Sequence, residues 1–310
     1  MTGTQLADRI AAALPPMALV AVVVALLLPS EQVADRGDLV LATLVALTAL
    51  GIAPQALWQL RNRWHAVLAL SLAPFAVLVP LAWAIGRLFD SPVREGVLTL
   101  GMSSTEVAAV GLVALAAGDA ALALGALTGS LIAAATIGPV LIGLLADTSA
   151  SSETGELLGR FALVVLLPLA AGVTARALRP RLARGEPWYA AGSTLAVVAL
   201  IYAALSGSNA GDELLPALGA SAAFLALSAI PALAAARAAR PDRRSAVAFS
   251  VSLRDFAVAA TLATQAFGTR AAAVAGIYGV LMLIAGALAT VTLRHRNRRA
   301  QRRAATAQRA

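Results

Sequence analysis

The sequence contains no cysteine and only two histidines, His65 and His295. The missing cysteines exclude disulfides, thiolate metal sites and cysteine nucleophiles. The two histidines sit in a basic loop and a basic tail, so a histidine metal site is not expected. Charge is scarce as well, at 13% of residues, where a soluble domain carries about 25%. Gly-rich phosphate loops and soluble ATPase motifs are absent, so the chain by itself is not expected to drive transport with a nucleotide. What fills the sequence is apolar: 60% of its 310 residues are hydrophobic, and the mean hydropathy is +0.82. A water-soluble fold could not hide this much apolar surface, so the bilayer must be its solvent. A net charge of +8 would suit a nucleic-acid partner. Here, however, the arginines cluster between apolar runs, as they do in cytoplasmic loops. No nucleic-acid partner is expected. The first apolar run lacks a small-residue cleavage site before a soluble domain and reads as a retained helix.

About 20 apolar residues cross the hydrocarbon layer as a helix. That ruler gives ten spans, near 11–29, 38–57, 66–89, 94–116, 119–146, 156–177, 188–206, 213–238, 244–266 and 270–293. The connections separate by sign. Those after even-numbered spans are basic: Arg61, Arg63 and His65; Arg176, Arg179, Arg181 and Arg184; Arg237, Arg240, Arg243 and Arg244; and a tail with Arg294, Arg296, Arg298, Arg299, Arg302 and Arg303. Those after spans 5 and 7 are acidic, with Asp147, Glu153 and Glu156, then Asp212 and Glu213. The positive-inside rule then puts both termini in the cytoplasm. Alanine-rich, arginine-over-lysine usage suits a bacterial inner membrane. Trp58, Trp64, Trp83 and Trp188 fall mostly near span ends, where interfacial anchoring is the default role. The chain thus reads as a transporter domain over residues 1–293, with repeat one at about 11–147 and repeat two at about 156–293. A basic cytoplasmic tail follows at 294–310.

Ten spans divide into five plus five, and an odd repeat unit gives inverted topology, with a site expected on broken helices at the midplane. Two opening segments are weakly alike, Leu14-Pro15-Pro16-Met17-Ala18-Leu19-Val20 and Leu167-Pro168-Leu169-Ala170-Ala171-Gly172-Val173. Intramembrane charge is more telling. Span 4 is interrupted by Gly101-Met102-Ser103-Ser104-Thr105-Glu106, and span 9, its counterpart, by Ser250-Val251-Ser252-Leu253-Arg254-Asp255. Each charge at a helix centre costs on the order of 3 kcal/mol, so Glu106, Arg254 and Asp255 must be paired or hydrated inside the bundle. One reading is a substrate or coupling-ion site built from Ser103, Ser104, Thr105, Glu106, Ser130, Ser250, Ser252, Arg254 and Asp255. The other is a bridge from Arg254 to Glu106 or Asp255 that only pins two helices. Gln265, near the end of span 9, reads as a helix–helix hydrogen bond. Two carboxylates, an arginine and hydroxyls, with no metal set, do not suggest an enzyme.

Order and spacing over residues 11–290 make the chain resemble the bile acid:sodium symporter family and, more distantly, the arsenite permeases of the same superfamily. The resemblance runs through Leu14-Pro15-Pro16 to Leu28-Pro29, and through Val79-Pro80-Leu81-Ala82-Trp83-Ala84. It continues in Leu115-Ala116-Ala117-Gly118-Asp119-Ala120-Ala121-Leu122, in Ala257-Val258-Ala259-Ala260, and in Phe267-Gly268. It implies an all-α polytopic fold with a panel domain (helices 1, 2, 6 and 7) and a core domain (helices 3–5 and 8–10). In the core, discontinuous helices 4 and 9 cross. It also implies secondary transport of a small organic anion. The family's sodium ligands are largely not retained. Ligand positions in helix 4 fall on Ala109 and Val110, those in helix 9 on Ser250 and Arg254, and one in helix 3 on Phe75; Ser130 alone keeps a ligand type. The cysteine that arsenite permeases carry in helix 4 would fall on Thr105. No metal centre and no cofactor is therefore expected; transport is expected to be proton-linked, uncoupled or residually sodium-coupled, with a proton or sodium as the coupling ion. In this reading Arg254 offers a donor fork to a carboxylate or sulfonate, and Glu106 or Asp255 takes the coupling ion. A non-transporting sensor or structural module of the same fold is the alternative.

Overall fold

The computed structural model describes residues 3–34, 36–116, 118–145, 154–206, 213–286 and 288. Asp147, Glu153, Asp212 and the basic tail lie outside the described residues. Helices α1 (Gly3–Ala12) and α2 (Leu14–Leu27) lead through a single turn, α3 (Glu31–Ala34), to α4 (Gly37–Gly51) and α5 (Pro54–Gln59). Then come α6 (Trp64–Gly86), α7 (Val93–Met102), α8 (Val107–Leu115) and α9 (Ala120–Leu145). The second half holds α10 (Thr154–Phe161), α11 (Leu167–Leu178), α12 (Glu186–Ser206), α13 (Leu214–Ala238), α14 (Arg244–Ser252) and α15 (Phe256–Phe267), and ends with α16 (Thr269–Gly286). No strand occurs among the described residues.

Six helical stretches among the described residues are long and apolar enough to cross a membrane: Leu60–Gly86, Ala120–Leu145, Gly155–Leu178, Pro180–Ser206, Leu214–Ala238 and Thr269–Gly286. Leu14–Leu27, Gly37–Gly51 and Phe256–Phe267 are shorter apolar helices. The protein is an all-helical, multi-pass membrane protein. The stretches expected at 94–116 and 244–266 each consist of two helices end to end, α7 with α8 and α14 with α15, with the charged residues in the joints. A π-helical turn, Ala162–Leu166, joins α10 to α11 ahead of Pro168, a position where the ring removes a backbone donor.

The outer surface is rich in exposed Leu, Ile and Val, among them Leu27, Leu215 and Ile230, which suits lipid chains. The interior is built of small residues that let backbones approach. A Cβ at Gly96 of α7 would lie 2.4 Å from the Ala271 carbonyl oxygen of α16, and one at Gly279 would lie 2.6 Å from the Phe256 ring. Helices α2, α4, α11 and α12 pack together as one group, and α6, α7, α9, α13, α14 and α15 as another. The connections are ordered by end. At one end Arg63 pairs with Asp119 at 2.7 Å, and the Asp119 N–H donates to the Asp242 carbonyl. At the other, Asp38 accepts from Arg160 at 2.8 Å and from Gln265 at 2.7 Å, and Arg270 pairs with Glu213.

Candidate functional site

The two interruptions meet. Residues after Met102 and after Ser252 leave the helix and run antiparallel, with Thr105 opposite Arg254. The Glu106 N–H donates to the Leu253 carbonyl at 3.1 Å, and the Asp255 N–H donates to the Ser104 carbonyl at 2.8 Å. Unwinding a helix in an apolar interior frees backbone groups that must find new partners. Here they do. The Thr105 N–H donates to Ser130 Oγ at 2.9 Å, and the Arg254 N–H donates to the Tyr278 hydroxyl at 3.1 Å. Asp255 also caps α15, its Oδ1 accepting from the N–H groups of Ala257 and Val258. Glu106 holds the equivalent position ahead of α8, in the same extended conformation. Both carboxylates therefore sit at half-helix N-termini, where the helix dipole favours negative charge.

Side chains alternate along an extended segment, and this decides where each charge goes. Glu106 and Asp255, flanking the paired residues, turn toward the seam between the two helix groups. There they line a cavity of about 410 Å³ together with residues of α4, α9, α12 and α16. Glu106 is 6% exposed, and its Oε2 has no hydrogen-bond partner among the described residues. Thr105 and Arg254 turn the other way. Thr105 Oγ1 donates to the Ser250 carbonyl at 2.9 Å. The Arg254 guanidinium is fully buried, lies 5.3 Å from the centre of the Phe75 ring, and finds no hydrogen-bond partner among the described residues. Neither the Glu106–Arg254 nor the Asp255–Arg254 bridge considered from sequence is formed. The Phe75 contact is a cation–π geometry in its place.

The other hydroxyls serve mainly the backbone. Ser103 Oγ donates to the Leu100 carbonyl, Ser130 Oγ to that of Leu127 and Ser252 Oγ to that of Ala248. Ser104 Oγ lies 3.5 Å from Asp255 Oδ2, and Ser250 Oγ is buried with no hydrogen-bond partner among the described residues. Of the nine residues singled out by sequence, only Glu106 and Asp255 line the cavity. Sequence reading did not single out Thr48, Glu186 and Tyr189, which also line it, or Tyr278, which holds the Arg254 backbone. Tyr278 carried a usable signal, a tyrosine inside an apolar span, because a buried phenol seeks a hydrogen-bond partner. A second, smaller cavity of about 170 Å³ lies along the same seam toward the Asp38 end, lined by Asp38, Arg160, Thr261, Thr264 and Gln265 among others.

Two interrupted helices crossing at buried charges, inside a multi-pass helical bundle, are the architecture of a secondary-transporter class in which broken helices carry the site. The chain belongs to the SBF-like CPA transporter family, whose model matches residues 14–291. That family lies within the bile acid:sodium symporter/CPA superfamily, as the sequence resemblance implied. It is a family of transporters and not of enzymes. No curated protein matches the chain.

Proposed function

We propose that this protein is a secondary transporter working by alternating access, with Glu106 and Asp255 as the groups that take up and release the coupling ion. The observation that carries this reading is the buried Glu106 Oε2, without a hydrogen-bond partner among the described residues, on the wall of a cavity between two helix groups. In this reading the chain has ten membrane-spanning helices in two inverted five-helix repeats. Panel helices 1, 2, 6 and 7 face core helices 3–5 and 8–10, and both termini lie in the cytoplasm of a bacterial inner membrane. The matching breaks at Ser103–Glu106 and Leu253–Asp255 support the repeats. Cavities toward opposite ends of one seam suit a rocking motion of the panel against the core.

A proton suits the site better than sodium. Sodium needs several oxygens around one point, and Ala109, Val110 and Phe75 supply none where the family places ligands. Two carboxylates in a largely apolar cavity need only change protonation. The test is uptake into proteoliposomes under an imposed proton or sodium gradient. Uptake driven by the proton gradient supports the reading; uptake driven by sodium alone contradicts it. Ligand binding with no flux under either gradient would favour a sensor module of the same fold.

The small organic anion implied by the sequence resemblance would have to engage Arg254, whose fully buried guanidinium has no hydrogen-bond partner among the described residues but is turned away from the cavity toward Phe75. If Arg254 serves an anion, Arg254→Ala abolishes anion uptake while the protein stays folded. Unchanged uptake removes it from the site.

A further inference from the structure

The larger cavity carries information about its occupant. Its volume, about 410 Å³, far exceeds the roughly 30 Å³ share of one water molecule, so it has room for an organic body and not only for an inorganic ion. Its walls are largely apolar, with Leu44, Leu47, Val110, Leu124, Leu127 and Leu283 among them. Its charged members are all acidic: Glu106, Asp255 and Glu186. Glu186 is neutralised by an ion pair with Arg176. Among the described residues no lysine or arginine lines the cavity, and the Arg254 guanidinium is turned away toward Phe75.

We propose that this cavity binds a hydrophobic organic cation, an ammonium or delocalised aromatic cation on an apolar body. The proposal rests on the transporter reading above and names the substrate class of the same site. The two carboxylates have different duties. Asp255 is already engaged, its Oδ1 by two backbone N–H groups and its Oδ2 by Ser104, so it contributes charge. Glu106 Oε2 is free and is the contact atom. Thr48 Oγ1, also buried and without a hydrogen-bond partner among the described residues, lines the same cavity as a further acceptor. An ammonium group has only donors to offer and needs such acceptors. The apolar body is driven into the leucine wall by its own removal from water. An organic anion in the same place would face two carboxylates with no facing cation among the described residues.

The test uses one apolar body in three charge states: 4-phenylbutylammonium, 4-phenylbutanol and 4-phenylbutyrate. Binding to the purified full-length protein in detergent is measured calorimetrically at neutral pH. The ammonium should bind about tenfold or more tightly than the alcohol, a step worth about 1.4 kcal/mol, and the butyrate more weakly than either. Glu106→Gln should reduce the ammonium to the affinity of the alcohol. The unmodified protein alone decides the charge preference, so misfolding of the variant does not spare the proposal. Equal affinities for all three, or tightest binding of the butyrate, overturns it. Gradient-driven flux without the ammonium preference leaves a transporter of another substrate class. An ammonium preference without any gradient-driven flux leaves the binding class intact and removes the transport reading.

Discussion

Thr105 pairs with Arg254 across the middle of the bundle, in an antiparallel bridge closed by the Glu106–Leu253 and Asp255–Ser104 backbone hydrogen bonds. This short pairing stands in for helical hydrogen bonds that two apolar helices would otherwise have made. It also fixes the site's polarity. Because neighbours in an extended chain point to opposite sides, both carboxylates face the seam while Arg254 faces the core.

Ser130 supports this pairing from α9 by accepting the Thr105 N–H. Ser130→Ala leaves that donor without a partner in an apolar interior, a loss of about 1–3 kcal/mol. Thermal unfolding in detergent should show the drop, and Ser130→Thr should restore most of it. An Ala variant as stable as the parent would mean that the Thr105 N–H is satisfied in another way.

Asp255 both caps α15 and contributes charge to the cavity, and two substitutions separate these roles. Asp255→Asn keeps a capping oxygen and should stay near parental stability, whereas Asp255→Ala should lose about 0.5–2 kcal/mol. Both should lose gradient-driven flux in proteoliposomes. Full flux in Asp255→Asn would show that the charge is dispensable.

Asp38 ties α4 to Gln265 of α15 and to Arg160 of α10, at the end of the seam away from the larger cavity. Of these two contacts the Gln265 bond crosses the seam; a hydrogen bond to a charged group contributes about 1.5–3 kcal/mol, so Asp38→Ala should favour opening at that end by about tenfold. The chain has no native cysteine, so a single reporter cysteine introduced as Ala204→Cys, on the wall of the smaller cavity, reads the change directly. Its labelling by a membrane-impermeant maleimide should speed up in the Asp38→Ala background. An unchanged rate would show that these contacts do not hold the seam.

Gly96 has no room for a side chain, with the Ala271 carbonyl 2.4 Å from where a Cβ would sit. Gly96→Ala should force α7 and α16 apart and cost about 1–3 kcal/mol, seen as a lower unfolding temperature. A neutral result would mean that this contact relaxes freely.

Much of this was legible in the sequence, for identifiable reasons. Long apolar runs mark membrane helices because the bilayer sets their length. Glu106, Arg254 and Asp255 mark the breaks because charge is rare at that depth. Gln265 reads as an interhelical hydrogen bond and is one, to Asp38. The direction of the Arg254 side chain was not legible, because it depends on which residue of a distant segment pairs with it. The same holds for Tyr278, whose partner is the Arg254 backbone, and for Thr48 and Tyr189, which line the cavity only once the two helix groups face each other. The hydroxyls near the breaks stand out in the sequence by clustering beside the charges; which carbonyls they bond was not legible, and Ser103, Ser130 and Ser252 bond to carbonyls within their own helices.

The central claim is that Glu106 carries the coupling ion. The most direct measurement compares the parental protein with Glu106→Gln in proteoliposomes under an imposed proton gradient, with 4-phenylbutyltrimethylammonium as the cargo, a cation whose fixed charge keeps it from crossing the bilayer as a neutral amine. The parent should move the cargo against its concentration gradient in exchange for protons, with proton and cargo occupying Glu106 in turn. Glu106→Gln, equally folded by its unfolding temperature and supplied with cargo at a saturating concentration, should show no gradient-dependent movement. Parental rates in the Glu106→Gln protein would contradict the account.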